Sequence, residues 1–189
     1  MRWLLITGLV ILVFLLLLLG GWAWVLAGSD PAGNVLAEYF PWPVVCTTRG
    51  CVSSTRWLKE EKIQQTFAEK TGQEIPTAAD ALNTLARQHL THYAQLRQNV
   101  TLADAERYRT EILNVSQENQ IKDTTGLILD DYDNYVLLPY LEQESLRQQR
   151  SAETPDDLYQ QLAKERLVVV LPFHLKWDRQ EGRVIQRVQ

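Results

Sequence analysis

The sequence predicts a mainly α protein: an N-terminal transmembrane helix followed by a small helical bundle of about five helices with one or two short β-hairpins. Three observations carry this reading. Residues Trp3 to Ala27 contain no charge and one hydroxyl, Thr7, in a run of Leu, Ile, Val and Trp. Beyond that run, apolar residues recur at spacings of three and four, the period of an amphipathic helix. Two β-branched stretches, one near each end of the helical part, flank turn residues.

The first element, residues 1–27, is long enough to be an anchor. At about 1.5 Å per residue, an uncharged run of this length crosses a hydrocarbon core of roughly 30 Å. The alternative is a cleaved signal peptide, because Val25-Leu26-Ala27 before Gly28 satisfies the small-residue rule. Signal-peptide apolar regions run to about 7–15 residues, which favours the uncleaved form. Either outcome sends the remainder out of the cytoplasm. Arg2 is basic, whereas the far flank offers Asp30 and Glu38 and no Lys or Arg before Arg49. That asymmetry puts the N-terminus in the cytoplasm and the C-terminal domain outside, on a single-pass protein of the cytoplasmic (inner) membrane. Trp22, Trp24, Tyr39 and Trp42 then cluster at the outer interface, where amphipathic rings are favoured. Residues 28–43, mixing Gly, Pro and small residues, suit a linker, and 44–189 form the extracytoplasmic domain.

Composition narrows the partners. Of 19 basic and 23 acidic residues, removing Arg2 leaves 18 − 23 = −5 beyond the anchor, a balance unsuited to tracking phosphates. Nucleic acid is therefore not an expected partner, while the bilayer is, through residues 3–27. The two cysteines, Cys46 and Cys51, have neither the spacing of a thioredoxin-type pair nor that of half a zinc site. An extracytoplasmic location makes a disulfide between them feasible. Val44 to Thr47 and Cys51 to Ser53 flank Thr48-Arg49-Gly50 as a short hairpin. If the turn centres on Thr48 and Arg49, Cys46 faces Cys51; a one-residue shift would undo the pairing.

The helices follow in order. Ser53 or Ser54 caps the first, which carries Trp57, Leu58, Ile63 and Phe67 to about Lys70 before Thr71-Gly72 stops it. Thr77 caps the second, with Leu82, Leu85, Ala86, His89 or Leu90, Tyr93 and Leu96 on one face up to Arg97. Thr101 and Asp104 resemble a capping box opening a third, lined by Leu102, Ala105, Tyr108, Ile112 and Val115. Lys122 to Gly126 read as a loop. A fourth starts near Asp130 and carries Tyr132, Tyr135, Val136, Leu138, Leu141 and Leu146, with Pro139 expected to kink it or mark its boundary. Thr154-Pro155-Asp156-Asp157 starts a fifth, with a cap, Pro at the first helical position and carboxylates at the positive end of the dipole. Leu167 to Leu171 fit either a continued helix or a buried strand. Phe173 to Gln186 read as a second hairpin around Asp178 to Gly182, free to pair with the first.

Motifs for chemistry are sparse. His89 and His92 lie three apart on one helix, without the Glu-x-x-His or acidic partner of a metal site, and His174 stands apart. Glycine-rich phosphate loops and a Gly-x-Ser-x-Gly elbow are missing. Asp130, Asp131 and Asp133 lack the glycine and closing Glu of an EF-hand and fit a helix N-terminus instead. Asn99-Val100-Thr101 and Asn114-Val115-Ser116 match the glycosylation sequon, which matters only in a glycosylating host. No catalytic residue, metal or cofactor is expected. Tyr132, Tyr135 and Tyr140, with Leu137 and Leu138, leave two readings open: core packing, or an apolar groove for a partner.

Two stretches resemble a known family. Ala79-Asp80-Ala81-Leu82 leads through Leu96-Arg97-Gln98-Asn99-Val100-Thr101-Leu102-Ala103-Asp104-Ala105-Glu106, and Gly126-Leu127-Ile128-Leu129-Asp130-Asp131-Tyr132-Asp133-Asn134-Tyr135-Val136-Leu137-Leu138-Pro139-Tyr140-Leu141 follows. In this order they resemble the N-terminal domain of the SurA-like periplasmic chaperones and membrane-anchored foldases, over roughly residues 44–165, with Asn99 where Gly is frequent. Such foldases normally carry a parvulin-type prolyl isomerase domain of about a hundred residues after this part, more than the 39 residues beyond Arg150 hold. The resemblance therefore implies a chaperone-like, non-catalytic cradle for unfolded or newly exported polypeptides, with Tyr132, Tyr135, Val136, Leu138, Pro139 and Tyr140 as its client-binding residues. A scaffold or assembly subunit of a cell-envelope complex, or a divergent peptidyl-prolyl isomerase, are the alternatives.

Overall fold

The computed structural model describes residues 2–27, 41–94, 100–115, 117–171 and 175–186, and in the first helix the side chains of 6–21 only. The chain is mainly helical, with two small antiparallel sheets. Helix α1, Arg2–Ala27, is apolar along its 26 residues. No helix is long and apolar enough to cross a membrane among the described residues. The linker, apart from residues 41–43, lies outside the described residues, as do the side chains of Trp22, Trp24 and Tyr39.

Strands β1, Pro43–Thr47, and β2, Gly50–Ser53, form the first hairpin, with Cys46 opposite Cys51. A disulfide joins the two across the turn. Closing so short a loop removes unfolded-chain entropy worth about 2 kcal/mol. The apolar run after the last helix is a strand, β3, Val168–Val170, which pairs antiparallel with the free edge of β1, Val45 opposite Val170. Sheet order is thus β2-β1-β3. Strands β4, Leu175–Asp178, and β5, Arg183–Gln186, make the tail hairpin, but it does not join the first. The tail instead packs Val184 into the core and ties its backbone to a helix through the Asn83 side chain, whose Oδ1 accepts from the Val184 N–H at 2.9 Å. Gly182 closes its turn at φ 61°, and a Cβ there would lie 2.7 Å from the Tyr159 backbone, so the turn can nest against the helix that carries Tyr159 only with glycine.

The helices between are α2, Ser54–Thr71; α3, Ala78–Ala94; α4, Leu102–Arg107, running into a π-turn, Tyr108–Ile112; α5, Glu118–Thr125; α6, which comprises Leu129–Tyr132, a π-turn Asp133–Leu137 and Leu138–Gln149; and α7, Pro155–Glu165. Three start with the same device. In Thr77/Asp80, Thr101/Asp104 and Thr154/Asp157 the Asp backbone N–H donates to the Thr hydroxyl, and the Thr backbone N–H donates back to the Asp carboxylate. Asp does here what Glu usually does in a capping box.

Expectations fail here in two ways, one local and one through a distant partner. Lys122 to Thr125 are helical, the end of α5, and only Gly126, in the left-handed region, leaves the helix. The segment is polar apart from Ile121, so its periodicity is invisible; Ile121 and Thr125, four apart, are the residues it buries. On α4 the buried face is Ala105 and Arg109, while Leu102 and Ile112 are 48% and 65% exposed. Arg109 wins the interior because Asp133 waits there. The two form an ion pair of 3.0 Å with side chains 4% and 12% exposed, and Arg109 also donates to the Val115 carbonyl. Both partners sit in π-turns, so the two widened turns are pinned to each other. Removing one partner strands the other charge. Arg109→Met or Asp133→Leu alone is expected to lower the unfolding free energy of the full chain in detergent by about 3–5 kcal/mol. The double substitution should recover most of that loss in urea titrations; a double variant no better than the singles would show that the ion pair is not what holds these turns.

Candidate functional site

Helices α2, α3 and α6 meet around Gln88, Tyr135 and Pro139, and a cleft opens on either side of that meeting. The shape of α6 makes both. Pro139 has no N–H to offer the carbonyl four residues back, and the turn that contains that residue, Tyr135, is the widened one. Tyr135 and Pro139, and Val136 and Tyr140, form i,i+4 pairs along the face this presents.

The first cleft, about 510 Å³, is lined by Phe67 and Ile63 of α2, by Tyr135, Val136, Pro139 and Tyr140 of α6, and by Tyr159 of α7. Its polar lining is Glu60, Gln64, Gln73 and Glu74 with Asn83, Thr84, Arg87, Gln88 and Gln143. Glu60 falls on the buried stripe Trp57, Glu60, Ile63 of α2 and is 2% exposed. Its Oε1 accepts from Gln64 Nε2 at 2.9 Å and from Gln88 Nε2 at 3.4 Å, while its Oε2 and the Gln88 Oε1 have no partner. Burial pushes the Glu60 carboxyl above its ordinary range; the Gln64 hydrogen bond, Arg56 and Gln88 pull the other way. Arg87 is committed elsewhere: it donates to the Gly182 carbonyl, pairs with Asp156 at 2.9 Å, and stacks 4.5 Å over the Tyr159 ring. Tyr159 in turn donates to Gln143 Oε1 at 2.7 Å.

The second cleft, about 760 Å³, is more polar. His89 Nε2 lies 3.1 Å from the Gly50 carbonyl and 3.2 Å from Thr47 Oγ1, and its ring meets Tyr93 edge-on. Burial lowers its pKa, so the ring serves as a neutral bridge from α3 to the hairpin turn. His92 pairs with the buried Glu142 at 2.9 Å. Lys59 holds Asp131 at 2.9 Å and lies 4.8 Å from the centre of the Tyr135 ring, which ties α2 to the start of α6. The hydroxyl in this cleft, Ser53, accepts from the Arg56 N–H as the cap of α2. Among the described residues, no group of three His, Cys, Asp or Glu is placed to hold a metal ion.

Of the residues singled out by the resemblance, Tyr135, Val136, Pro139 and Tyr140 line the first cleft, and Leu138 lines the second with Tyr135 and Pro139. Tyr132 lies outside both, half-buried, with its hydroxyl pKa raised first by burial. His174, Asn99 and Ser116 fall outside the described residues. Sequence reasoning missed Glu60, Gln88, Phe67 as a lining residue and the His92–Glu142 pair. One signal was available: a Glu midway in the apolar spacing Trp57, Glu60, Ile63 is a carboxylate on a buried face. The chain matches no protein-family model, no curated protein and no solved structure.

Glu60 has a measurable signature. A carboxyl whose folded pKa exceeds its ordinary 4.5 binds its proton more tightly when folded, so stability falls as pH rises from that value through the raised one. Glu60→Gln removes that fall. The stability difference, variant minus wild type, should grow between about pH 4 and pH 8, and a difference that stays flat would show that the carboxyl is not held in a desolvating site.

Proposed function

We propose that this chain is a membrane-tethered, non-catalytic, chaperone-like protein that binds unfolded or newly exported polypeptides in the first cleft. The observation that carries the reading is an open cleft of about 510 Å³ whose apolar lining comes from the Tyr135 to Tyr140 stretch of α6. Chains that lack a fold expose apolar and aromatic side chains, which the apolar part of this lining fits, and unpaired backbone groups, to which its amides and carboxylates offer partners. The order of motifs resembling SurA-like N-terminal domains supports the same conclusion independently of the geometry. Helix α1 serves as the single-pass anchor. Its 26 residues extend about 39 Å at 1.5 Å per residue, and it carries no charge after Arg2. The Cys46–Cys51 disulfide supports an oxidising, extracytoplasmic side for residues 44–189. Tethering confines the binder to the surface from which exported chains emerge and raises its effective concentration there.

The test is aggregation of an unfolded protein in the presence of the full chain reconstituted in lipid nanodiscs. Stoichiometric amounts should suppress aggregation, and Val136→Asp, which puts a charge into the apolar lining, should abolish most of the effect. Absence of suppression together with absence of binding to any unfolded peptide would sink the reading. Crosslinking in the native membrane that returns one folded partner rather than a varied client set would favour an assembly subunit of an envelope complex.

A further inference from the structure

We infer that the Cys46–Cys51 disulfide is exchange-active: a thiolate from a client cysteine attacks Cys51 Sγ from the second cleft, and the disulfide passes to the client. The exchange rests on the geometry of the hairpin, and only the choice of an exported chain as its substrate rests on the reading above. In such an exchange the entering, attacked and leaving sulfurs fall close to one line, so access decides which sulfur reacts. Side chains directly opposite each other on antiparallel strands share a face. The register therefore sets Val169, Cys46 and Cys51 in a row across β3, β1 and β2. Approach to Cys46 along the line from Cys51 meets Val169. Approach to Cys51 along the line from Cys46 comes in over the outer edge of β2, where no further strand is paired among the described residues. That side is open. Cys51 is exposed and Cys46 only half-buried, and Cys51, Val52 and Ser53 line the second cleft, about 760 Å³.

Access selects here, and charge does not. In that cleft Lys59 pairs with Asp131 and His92 with Glu142, which leaves one cation, Arg56, and one carboxylate, Asp130. The hairpin also keeps its shape without the bond. Strand β1 is paired on both sides, and His89 Nε2 holds the turn through the Gly50 carbonyl at 3.1 Å. A loop this short puts the entropic contribution of the staple at the low end for disulfides, and reduction leaves the two thiols facing each other on paired strands. In the first step the client thiolate bonds to Cys51 Sγ as the Cys46–Cys51 bond breaks, and Cys46 departs as a thiolate that takes a proton from water. A second client thiolate then attacks the client sulfur of the mixed disulfide, and Cys51 departs in the same way. The client dithiol is oxidised to a disulfide and the Cys46–Cys51 pair is reduced to two thiols, once per chain.

The chain has no other cysteine, and tryptic cleavage after Arg49 separates the two. The full chain in nanodiscs is given a limiting amount of glutathione, N-ethylmaleimide stops the reaction at short times, and peptide mass spectrometry locates each adduct. Glutathione should sit on Cys51 and maleimide on Cys46 in most reacted chains, at a rate within about tenfold of that for an unstructured peptide carrying the same disulfide. Glutathione found on Cys46 as often as on Cys51 would overturn the inference. A slower reaction than that would overturn it too and leave the bond a structural staple. In a second arm, an unstructured peptide with two reduced cysteines is mixed with an equal amount of the chain. The peptide should gain one internal disulfide while the chain takes up two maleimides, and a peptide that stays reduced would overturn the donation. Client binding is decided separately by the aggregation test, run with an unfolded protein that lacks cysteine.

Discussion

Everything in the domain is arranged around one helix that has to be covered. Helix α3 buries seven residues, Ala81, Leu82, Leu85, Ala86, Leu90, Thr91 and Ala94, a face too wide for any one neighbour to cover. The first sheet brings Val44 and Val45, α7 brings Leu158 and Leu162, α6 brings Leu146, and the tail hairpin brings Leu175 and Val184. The covering elements are short and the two sheets have only three and two strands, so this face holds the largest buried cluster, while Ile63, Ala68, Ile121 and Leu127 are buried outside it. The two clefts lie where α2 and α6 approach α3 without closing over it.

That incomplete closure has a local origin. Pro139 forbids a regular helix through residue 135, and the π-turn that accommodates it is held by the Arg109–Asp133 pair. An ion pair buried this deeply gives little net stability over an apolar contact, but it specifies one arrangement by making the alternatives leave a charge unpaired. The residues of and just after that π-turn, Tyr135, Val136, Pro139 and Tyr140, line the first cleft. Glu60 is the matching departure on the other side. A Leu at that point of the stripe Trp57, Glu60, Ile63 would pack better, and instead the chain keeps a carboxylate whose second oxygen has no donor. Local rules of stability are broken most often where a protein binds something.

Much of the fold could be read from residues within five positions of each other. The three Thr-x-x-Asp boxes, Pro155 at a helix start, and the hairpin with Cys46 opposite Cys51 are set by contacts between near neighbours, and the sequence contains both halves of each. The stripe of α3 was legible from Leu82 to Leu90, but Tyr93, expected on the same face, is 39% exposed while Thr91 and Ala94 are buried, and Leu96 lies outside the described residues. Of the candidate site, the stretch from Tyr135 to Tyr140 was visible as an aromatic cluster.

By itself, then, the sequence determined the mainly helical class, most of the helix starts and the order of elements, because capping and periodicity are local. Tertiary structure alone decided the rest. Whether 167–171 continued a helix depended on an unpaired edge of β1 more than a hundred residues away. Whether the tail joined that sheet depended on the core that Leu175 and Val184 enter instead. Arg109 could displace Leu102 and Ile112 from the interior only because a carboxylate arrived from another helix. The meeting of Glu60 and Gln88 with the tyrosines of α6 depends on three helices separated in the chain, and long-range packing leaves no trace in the spacing of any one of them.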